Sequence, residues 1–282
     1  METHEASTQE VRKVRELAGR LLLDGDVVGV VGLRAEHGYV RPHLFIGEDD
    51  LTTLVLEPRQ PLALVCRTIL SHLPSEQAKL GIVVRGCDER ALIEMAKLEQ
   101  VDMERLVLIG VACSEDQARQ CVCERPYPHR IDVGEKAEGI APRDDERVRR
   151  LLALNVEERL SFWRHEFARC IKCYGCRNAC PVCLCDECAL EEACWVEPGQ
   201  IPPELPYHLI RAYHIADKCV GCGACEASCP MDIPLTILYA LLREKLKELF
   251  DYQPGLEVGQ RSPLMTTLEE MPIRERPNAS SQ

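Results

Sequence analysis

Apolar residues recur at intervals of three and four near the start of the chain. Over residues 8–23 this spacing predicts a helix with one apolar face, and a polar turn at 24–26 ends it. Three short runs of β-branched and aliphatic residues follow, separated by charged or glycine-containing turns. They predict strands at 27–33, 39–46 and 51–56.

The pattern after these runs is that of a parallel sheet. An apolar run over 81–85 is followed by a glycine turn, a helical pattern at 88–100 and a second apolar run over 105–111. Strand, helix and strand in this order form a βαβ unit, so the two strands are expected to be parallel. Asp88 is placed to cap the helix, and the apolar run at 62–65 is a candidate third strand.

Helical spacing returns in the second half of the chain. Apolar residues recur one turn apart over 144–169 and again over 234–250, which predicts helices in both ranges. The stretch 124–143 holds three prolines and little periodicity, and it marks a boundary between two domains. Residues 253–282 lack a core pattern, so we interpret them as an arm that docks on a partner or stays mobile.

Two copies of one cysteine pattern lie between these predicted helices. Both have the spacing C-x2-C-x2-C-x3-C-P, at 170–181 and at 219–230. Three thiolates at this spacing surround one [4Fe-4S] cluster, and the fourth, followed by proline, reaches the other cluster. A zinc ribbon is the alternative, but zinc sites usually offer pairs of C-x2-C. We assign the first cluster to Cys170, Cys173, Cys176 and Cys229, and the second to Cys219, Cys222, Cys225 and Cys180.

These elements predict two domains and an arm. Residues 1–140 are expected to form an α/β domain with a parallel βαβ unit. Residues 141–252 are expected to form an α+β dicluster ferredoxin-like domain with flanking helices, and residues 253–282 the C-terminal arm. A chain of 282 residues is long enough for two modest domains, each with its own core.

A cysteine-rich insert separates the two copies of the motif. Its four thiols lie within twelve residues, at Cys183, Cys185, Cys188 and Cys194. A further [4Fe-4S] cluster and a structural zinc ion are comparable interpretations of this group. In the alternative, Cys183 offers a second choice of ligand for the neighbouring cluster and the others bind nothing.

The remaining five cysteines lie in the first half of the chain. Cys66, Cys87 and Cys113 each follow an apolar run, and Cys121 and Cys123 come shortly after. Open α/β sheets bind their ligands at the carboxyl ends of parallel strands. The five sulfurs are therefore a candidate iron–sulfur or zinc site. The alternative is a set of reduced, buried thiols, because free cysteine is a common core residue.

The turn at the start of the predicted helix carries a second hypothesis and a resemblance. Arg85 and the backbone amide of Gly86 are candidates for binding a flavin phosphate at a helix N-terminus. The sequence VVRGCDERAL at 83–92, followed by LIGVAC at 108–113, resembles the beta subunits of coenzyme F420-reducing hydrogenases and dehydrogenases. In that family a cysteine follows the strand in a Gly-x-Pro-Cys-like turn, matched here by Arg-Gly-Cys without the proline.

This resemblance extends over about residues 25–135 and is strongest to bacterial proteins found with formate dehydrogenases, hydrogenases and heterodisulfide-reductase-like complexes. It implies iron–sulfur clusters and a flavin, usually FAD, that serve a deazaflavin or another carrier. The sequence CPMDIPL at 229–235, followed by FDY at 250–252, is similar to electron-transfer subunits of multi-subunit reductases.

Composition and charge indicate the redox compartment of the protein and the kind of partner it would bind. The chain has 17 cysteines and a formal net charge of −12. Its N-terminus lacks the charged-then-apolar pattern of a signal peptide, and no apolar run approaches the length of a membrane span. Metal-bound thiolates in a reducing cytoplasm are therefore expected, rather than disulfides. An acidic surface disfavours nucleic acid as a partner and suits docking on basic patches of redox proteins.

The sequence as a whole predicts an iron–sulfur electron-transfer subunit of a multi-subunit cytoplasmic oxidoreductase. Its partners would be the other subunits of that complex and an electron donor or acceptor protein. The first alternative is a catalytic subunit in which FAD exchanges hydride with a deazaflavin or nicotinamide. The second is an assembly subunit whose clusters are structural. The sequence shows no acid–base or nucleophile constellation. The reduction potentials of iron–sulfur clusters depend instead on their ligands, hydrogen bonds and burial.

Overall fold

The computed structural model describes residues 2–264, with side chains from residue 8 onward. The N-terminal half is one mixed sheet with helices packed against it. Its strands are β1 (Val30–Glu36), β2 (Tyr39–Phe45), β3 (Leu54–Val55), β4 (Leu80–Val84) and β5 (Leu106–Gly110). Its helices are α1 (Glu2–Leu23), α2 (Ala63–Ser71), α3 (Gly86–Lys97) and α4 (Glu115–Cys121).

The strand order is β2-β1-β4-β5, with β3 pairing β1. β1 is antiparallel to β2 and parallel to β4, and β4 is parallel to β5, which confirms the predicted βαβ unit. Successive residues of β1 point to opposite faces, so Val30 packs under α1 and Val31 packs towards α2 and α3. The predicted strand at 51–56 shortens to two residues, because a helical turn occupies Asp49–Thr53.

Residues 62–65 are not a strand, and this prediction is wrong. They lead into α2, whose buried face is formed by Leu62, Cys66 and Leu70 at intervals of four. The side chains in this short run are all apolar, and periodicity over so few residues does not distinguish a buried strand from a buried helix. Cys66 therefore lies within a helix instead of at a strand end.

Helix α3 begins earlier than the sequence predicts, so Asp88 caps it from position N3 of a capping box rather than from the N-cap position. The helix starts at Gly86, and Asp88 lies in its first turn. The Asp88 carboxylate accepts hydrogen bonds from the backbone N–H groups of Leu62 and Arg85 at 2.8 and 3.2 Å. It therefore ties the start of α2 to the start of α3, and its negative charge complements the α3 dipole.

The C-terminal half is built from helices and turns. Its helices are α5 (Glu146–Ala153), α6 (Val156–Phe167), α7 (Gly175–Asn178), α8 (Leu205–Ala216), α9 (Ala224–Ala227) and α10 (Leu235–Phe250). The helices predicted at 144–169 and 234–250 are confirmed, the first as two helices divided at Asn155, which caps α6. In the described part of this half there is no strand, so the strands of the predicted α+β domain are not observed. Turns occupy the segments around the cysteine motifs.

One apolar core joins the two halves. It includes Ile82 of β4 and Leu92 of α3 together with Ile215 of α8 and Tyr239 of α10. The first residues of the predicted arm also pack on the N-terminal half, because the Gly255 N–H donates to the Glu94 carboxylate at 2.6 Å. Residues 265–282 of that arm lie outside the described range.

Within residues 2–264, none of the helices has both the length and the apolar character needed to cross a bilayer.

Candidate metal centres

Both cysteine motifs fold into the same turn. The residues two and four positions after the first cysteine have positive φ in each copy, with values of 52° at Lys172, 58° at Tyr174, 69° at Gly221 and 73° at Gly223. Glycine adopts this conformation freely, whereas lysine and tyrosine do so at a cost of about 1–2 kcal/mol each. Strain of this kind clusters at functional sites. It indicates that the turn itself is needed in both copies.

The first ferredoxin site lies around this turn in the first motif. Its four cysteines are Cys170, Cys173, Cys176 and Cys229. The backbone N–H groups of Lys172 and Gly175 each donate to a cysteine sulfur, at 3.4 Å. Burial, and then the thiols of the other three cysteines, raise the pKa of Cys170. The structure therefore places all four predicted ligands within electrostatic reach of one another, with Cys173 exposed at the surface.

The second ferredoxin site is a small cavity. The four cysteines that the sequence assigns to the second cluster all line it, namely Cys180, Cys219, Cys222 and Cys225. Burial raises the pKa of Cys180 to about 11 and that of Cys222 well above its usual value. These thiols are protonated in the absence of a metal, so binding must release their protons.

A separate small cavity lies in the N-terminal half, and four of its lining residues are cysteines. We call Cys87, Cys113, Cys121 and Cys123 the N-terminal site. Cys87 is the second residue of α3, which follows β4, and Cys113 follows β5. Cys121 is the last residue of α4, and Cys123 lies two residues beyond it. Val122 between them has a φ of 48°. The carboxyl edge of the parallel strands thus brings together four of the five predicted cysteines.

Cys66 is the exception, and its assignment to this site is not supported. It lies on α2 with no exposed surface and packs in the shared core. Burial, followed by the nearby Asp88 carboxylate, raises its pKa to about 12. It does not line the cavity of the N-terminal site. The sequence placed it there only because residues 62–65 were interpreted as a strand.

Sequence reasoning missed Arg59, which contacts two sites. Its guanidinium donates to the sulfur of Cys121 at 3.0 Å and to that of Cys87 at 3.5 Å. It also donates to the backbone carbonyl of Cys222 at 2.7 Å. Arg59 therefore lies between the N-terminal site and the second ferredoxin site. No local signal marks it, because it is a single arginine in a loop whose partners are distant in sequence.

The Arg85-Gly86 turn does not fit a flavin phosphate. The Arg85 guanidinium is buried and donates to the side-chain oxygens of Glu57 at 2.6 Å and Gln117 at 3.2 Å. Gly86 lies under the chain at Tyr127, where an added Cβ would come within 2.4 Å of the backbone oxygen. Protein groups thus cover this helix start, and FAD in the chain stays a prediction based on the family resemblance.

Three of the four insert cysteines lie together. Cys183, Cys185 and Cys188 line an open cavity, which we call the insert site. Arg177 and Glu191 form an ion pair of 2.7 Å beside it. Cys194 is exposed and does not line this cavity. The structure therefore brings together three of the predicted ligands and leaves the fourth apart.

The number and placement of the donor side chains are relevant to whether a site holds a zinc ion or an iron–sulfur cluster. Among the side chains of residues 8–264, no three His, Cys, Asp or Glu groups converge on a point suited to a single metal ion. Zinc needs four donors about 2.0–2.3 Å from one centre. The second ferredoxin site and the N-terminal site each have four cysteines around one cavity, which is the donor set that a [4Fe-4S] cluster takes.

Aromatic side chains stack on one another beside Cys170 of the first ferredoxin site, whose N–H donates to the Phe167 carbonyl. Phe167 stacks on His208 with ring centroids 3.9 Å apart, and Trp163 stacks on Phe167 at 5.4 Å. Tyr207 is buried beside Cys170, and no described protein group accepts a hydrogen bond from its hydroxyl. A buried hydroxyl usually has a partner, so an acceptor supplied by a bound cluster suits this position.

The chain is similar to beta subunits of F420-dependent formate dehydrogenases, which confirms the resemblance in the sequence. It is 38% identical over 135 residues to the F420-dependent formate dehydrogenase subunit beta of Methanocaldococcus jannaschii, covering 48% of this chain and 36% of that protein. It is 36% identical over 96 residues to the F420-dependent formate dehydrogenase 1 subunit beta of Methanococcus maripaludis, and this match covers 34% of this chain and 24% of that protein. The matches thus span about a third or less of these relatives.

The 4Fe-4S binding domain family (Fer4) matches residues 212–234. This range includes four cysteines of the second motif, Cys219, Cys222, Cys225 and Cys229. The predicted presence of [4Fe-4S] chemistry is therefore confirmed for this part of the chain.

Proposed function

We propose that this chain relays single electrons between a redox partner and a catalytic subunit of a multi-subunit cytoplasmic oxidoreductase. The Fer4 match and the formate dehydrogenase relatives support the coarser statement, an iron–sulfur electron-transfer subunit of an oxidoreductase. A formate dehydrogenase is the complex we favour, with hydrogenase and heterodisulfide-reductase-like complexes as alternatives. The observation that carries the proposal is that the cysteine-lined sites adjoin one another.

Cys180 links the two ferredoxin sites. It belongs to the first motif in sequence, yet it lines the cavity formed by the second motif. Each motif thus contributes three cysteines to one proposed cluster and one cysteine to the other. Bound [4Fe-4S] clusters would supply one-electron acceptors held by thiolates. The chain would supply the ligands, the N–H donors and the exclusion of water.

The N-terminal site continues this series, and we propose a third [4Fe-4S] cluster there. Gly221 lines both its cavity and that of the second ferredoxin site. The Cys121 sulfur lies 3.7 Å from the Cys222 carbonyl oxygen. An isolated structural metal would need no such proximity, whereas a relay does. The insert site, with three gathered cysteines, is proposed as a further cluster or a zinc site.

Iron and sulfide content of the full chain, purified without oxygen, tests the proposal. We expect about twelve iron atoms and matching sulfide from the two ferredoxin sites and the N-terminal site. In the native complex these centres should be reduced within one catalytic turnover after the electron donor is added. Zinc without labile sulfide would overturn the cluster assignment. Clusters that are reduced much more slowly than turnover would favour the structural alternative.

Flavin absorbance is measured on the same preparation. The contacts around Arg85 and Gly86 disfavour a flavin phosphate at that turn. A stoichiometric flavin that is reduced by a deazaflavin or nicotinamide would instead support the catalytic alternative.

A further inference from the structure

Arginine side chains lie at the borders between the proposed centres. Arg59 contacts the Cys87 and Cys121 sulfurs on one side and the Cys222 carbonyl on the other. Arg243 lies at the same border. It donates to the Cys219 sulfur of the second ferredoxin site at 3.3 Å, and to the backbone carbonyl of Val122, between Cys121 and Cys123 of the N-terminal site, at 3.2 Å.

Arg211 occupies the other border. Its guanidinium donates to the backbone carbonyl of Cys176 in the first ferredoxin site at 2.5 Å, and to the Tyr239 hydroxyl at 2.9 Å. It also lines the cavity of the second ferredoxin site. The residue is only 3% exposed, and no described protein group accepts from its Nε atom.

None of these guanidinium groups forms an ion pair with a carboxylate of the described residues. Their hydrogen bonds go to sulfur atoms, backbone carbonyls and a tyrosine hydroxyl. Arg211 is buried, whereas Arg59 and Arg243 are half-buried. Burial of an unpaired cation is unfavourable by several kcal/mol or more. Cysteines that hold an anionic cluster would supply the missing negative charge, and the guanidinium groups of Arg59 and Arg243 already lie 3.0 and 3.3 Å from the sulfurs of Cys121 and Cys219.

We propose that Arg59 and Arg243 raise the reduction potentials of the N-terminal and second ferredoxin centres, and that Arg211 raises those of the first and second. The inference rests on the proposed function, because it assumes clusters at these sites. Reduction adds one electron to an already anionic cluster and no proton. A fixed positive charge therefore stabilises the reduced form.

The positions predict which potentials respond to each arginine. A charge at the border of two centres acts on both, and its effect decreases with distance. Arg59→Gln and Arg243→Gln should lower the potentials of the N-terminal and second ferredoxin centres and leave the first unchanged. Arg211→Gln should lower those of the first and second and leave the N-terminal centre unchanged. At a fixed potential, the ratio of reduced to oxidised centre should fall about tenfold or more.

An EPR-monitored redox titration of the full chain measures this directly. Signals are assigned by their loss in Cys173→Ala, Cys222→Ala and Cys87→Ala. Arg59→Lys and Arg211→Lys keep the charge and should retain most of the native potential. Arg143→Gln is the control, because Arg143 is exposed and pairs with Glu244 and Glu248; it should shift no centre.

The results that would disprove the role of the arginines differ from the result that would disprove the proposed electron-transfer function. Iron–sulfur clusters with unshifted potentials, or a uniform shift of all three centres, would overturn the role of the arginines alone. Loss of a centre in the Gln variant but not in the Lys variant would support it, since charge would then be needed to hold the anionic cluster. Loss in both variants would overturn it. A native chain without iron–sulfur would instead remove the proposed function.

Discussion

At the residue scale, Cys66 and Cys87 have similar chemistry and different surroundings. Burial raises the pKa of both thiols to about 12, so neither is a thiolate at neutral pH without a metal. Cys87 lines the N-terminal site, whereas Cys66 packs in the apolar core. We expect Cys87→Ala to lower the iron content by about four atoms. Cys66→Ala should leave it unchanged and lower the free energy of unfolding by about 1 kcal/mol.

Iron and sulfide analysis with anaerobic denaturant unfolding of both variants measures the difference. Equal iron loss in the two variants would mean that Cys87→Ala acts through folding rather than ligation. An unchanged iron content in Cys87→Ala would remove this residue from the N-terminal site.

The cysteines of the two ferredoxin sites could be predicted because their spacing is local and specific. Arg59 could not, since its contacts with Cys87, Cys121 and Cys222 span 28, 62 and 163 residues of sequence. A single arginine in a loop has no periodicity or motif, and only the fold brings its partners together. The positive φ of Tyr174 was equally hidden, because tyrosine does not signal a left-handed turn.

At the element scale, α4 positions two of the four cysteines of the N-terminal site, because it ends at Cys121 and Cys123 follows two residues later. It is seven residues long and is capped by Ser114, whose hydroxyl accepts from the Gln117 N–H. Short helices depend on such caps, and loss of one costs about 1 kcal/mol. Ser114→Ala should therefore loosen Cys121 and Cys123 and speed iron release from the N-terminal site to a chelator. The two ferredoxin sites should release iron at the native rate.

Asn155→Ala is the matched control, because Asn155 forms the same kind of capping box on α6. That helix contributes no cysteine to any of the sites. The control should lose a similar amount of stability without faster iron release from the N-terminal site. Equal release rates in the two variants would show that general stability, and not α4, controls this site.

The elements that could be predicted are those with long or repeated patterns. The βαβ unit followed from two apolar runs joined by a glycine turn and a helical segment, and the structure has it as β4, α3 and β5. The run at 62–65 could not be assigned, because short apolar stretches suit a buried strand and a buried helix equally. Assigning this run as a strand placed Cys66 at a strand end and therefore led to its prediction as a metal ligand. An error in secondary structure thus became an error in the predicted site.

At the scale of the whole molecule, the two halves depend on each other. The shared core crosses the predicted boundary near residue 140, and Gly221 of the second motif helps to enclose the N-terminal site. We therefore expect the N-terminal half expressed alone to lack part of the wall of its own metal site. Prolines and a loss of periodicity predict where one domain ends and the next begins, but they carry no information about contacts between the two domains.

The described part of the arm offers the sharpest test of this dependence. Gly255 has a φ of 74°, and an added Cβ would lie 2.4 Å from the Cβ of Arg90 on α3. Arg90 donates to the Val220 carbonyl at 3.1 Å and to the Cys123 sulfur at 3.6 Å. Displacing the arm would thus disturb α3, the second motif and the N-terminal site together. Gly259 has no atom within 4 Å of the same added group and serves as the control.

Gly255→Ala is expected to lower the free energy of unfolding by about 2–3 kcal/mol, because it combines backbone strain with a steric clash. Gly259→Ala should stay within about 0.5 kcal/mol of the native chain. The N-terminal site of Gly255→Ala should also lose iron before the first ferredoxin site does, since Arg90 contacts Cys123 but no cysteine sulfur of that site. Denaturant unfolding and EPR of each centre measure both effects. Equal stability of the two variants would show that the arm does not pack on α3 in solution, and that the two halves are less dependent than their shared core implies.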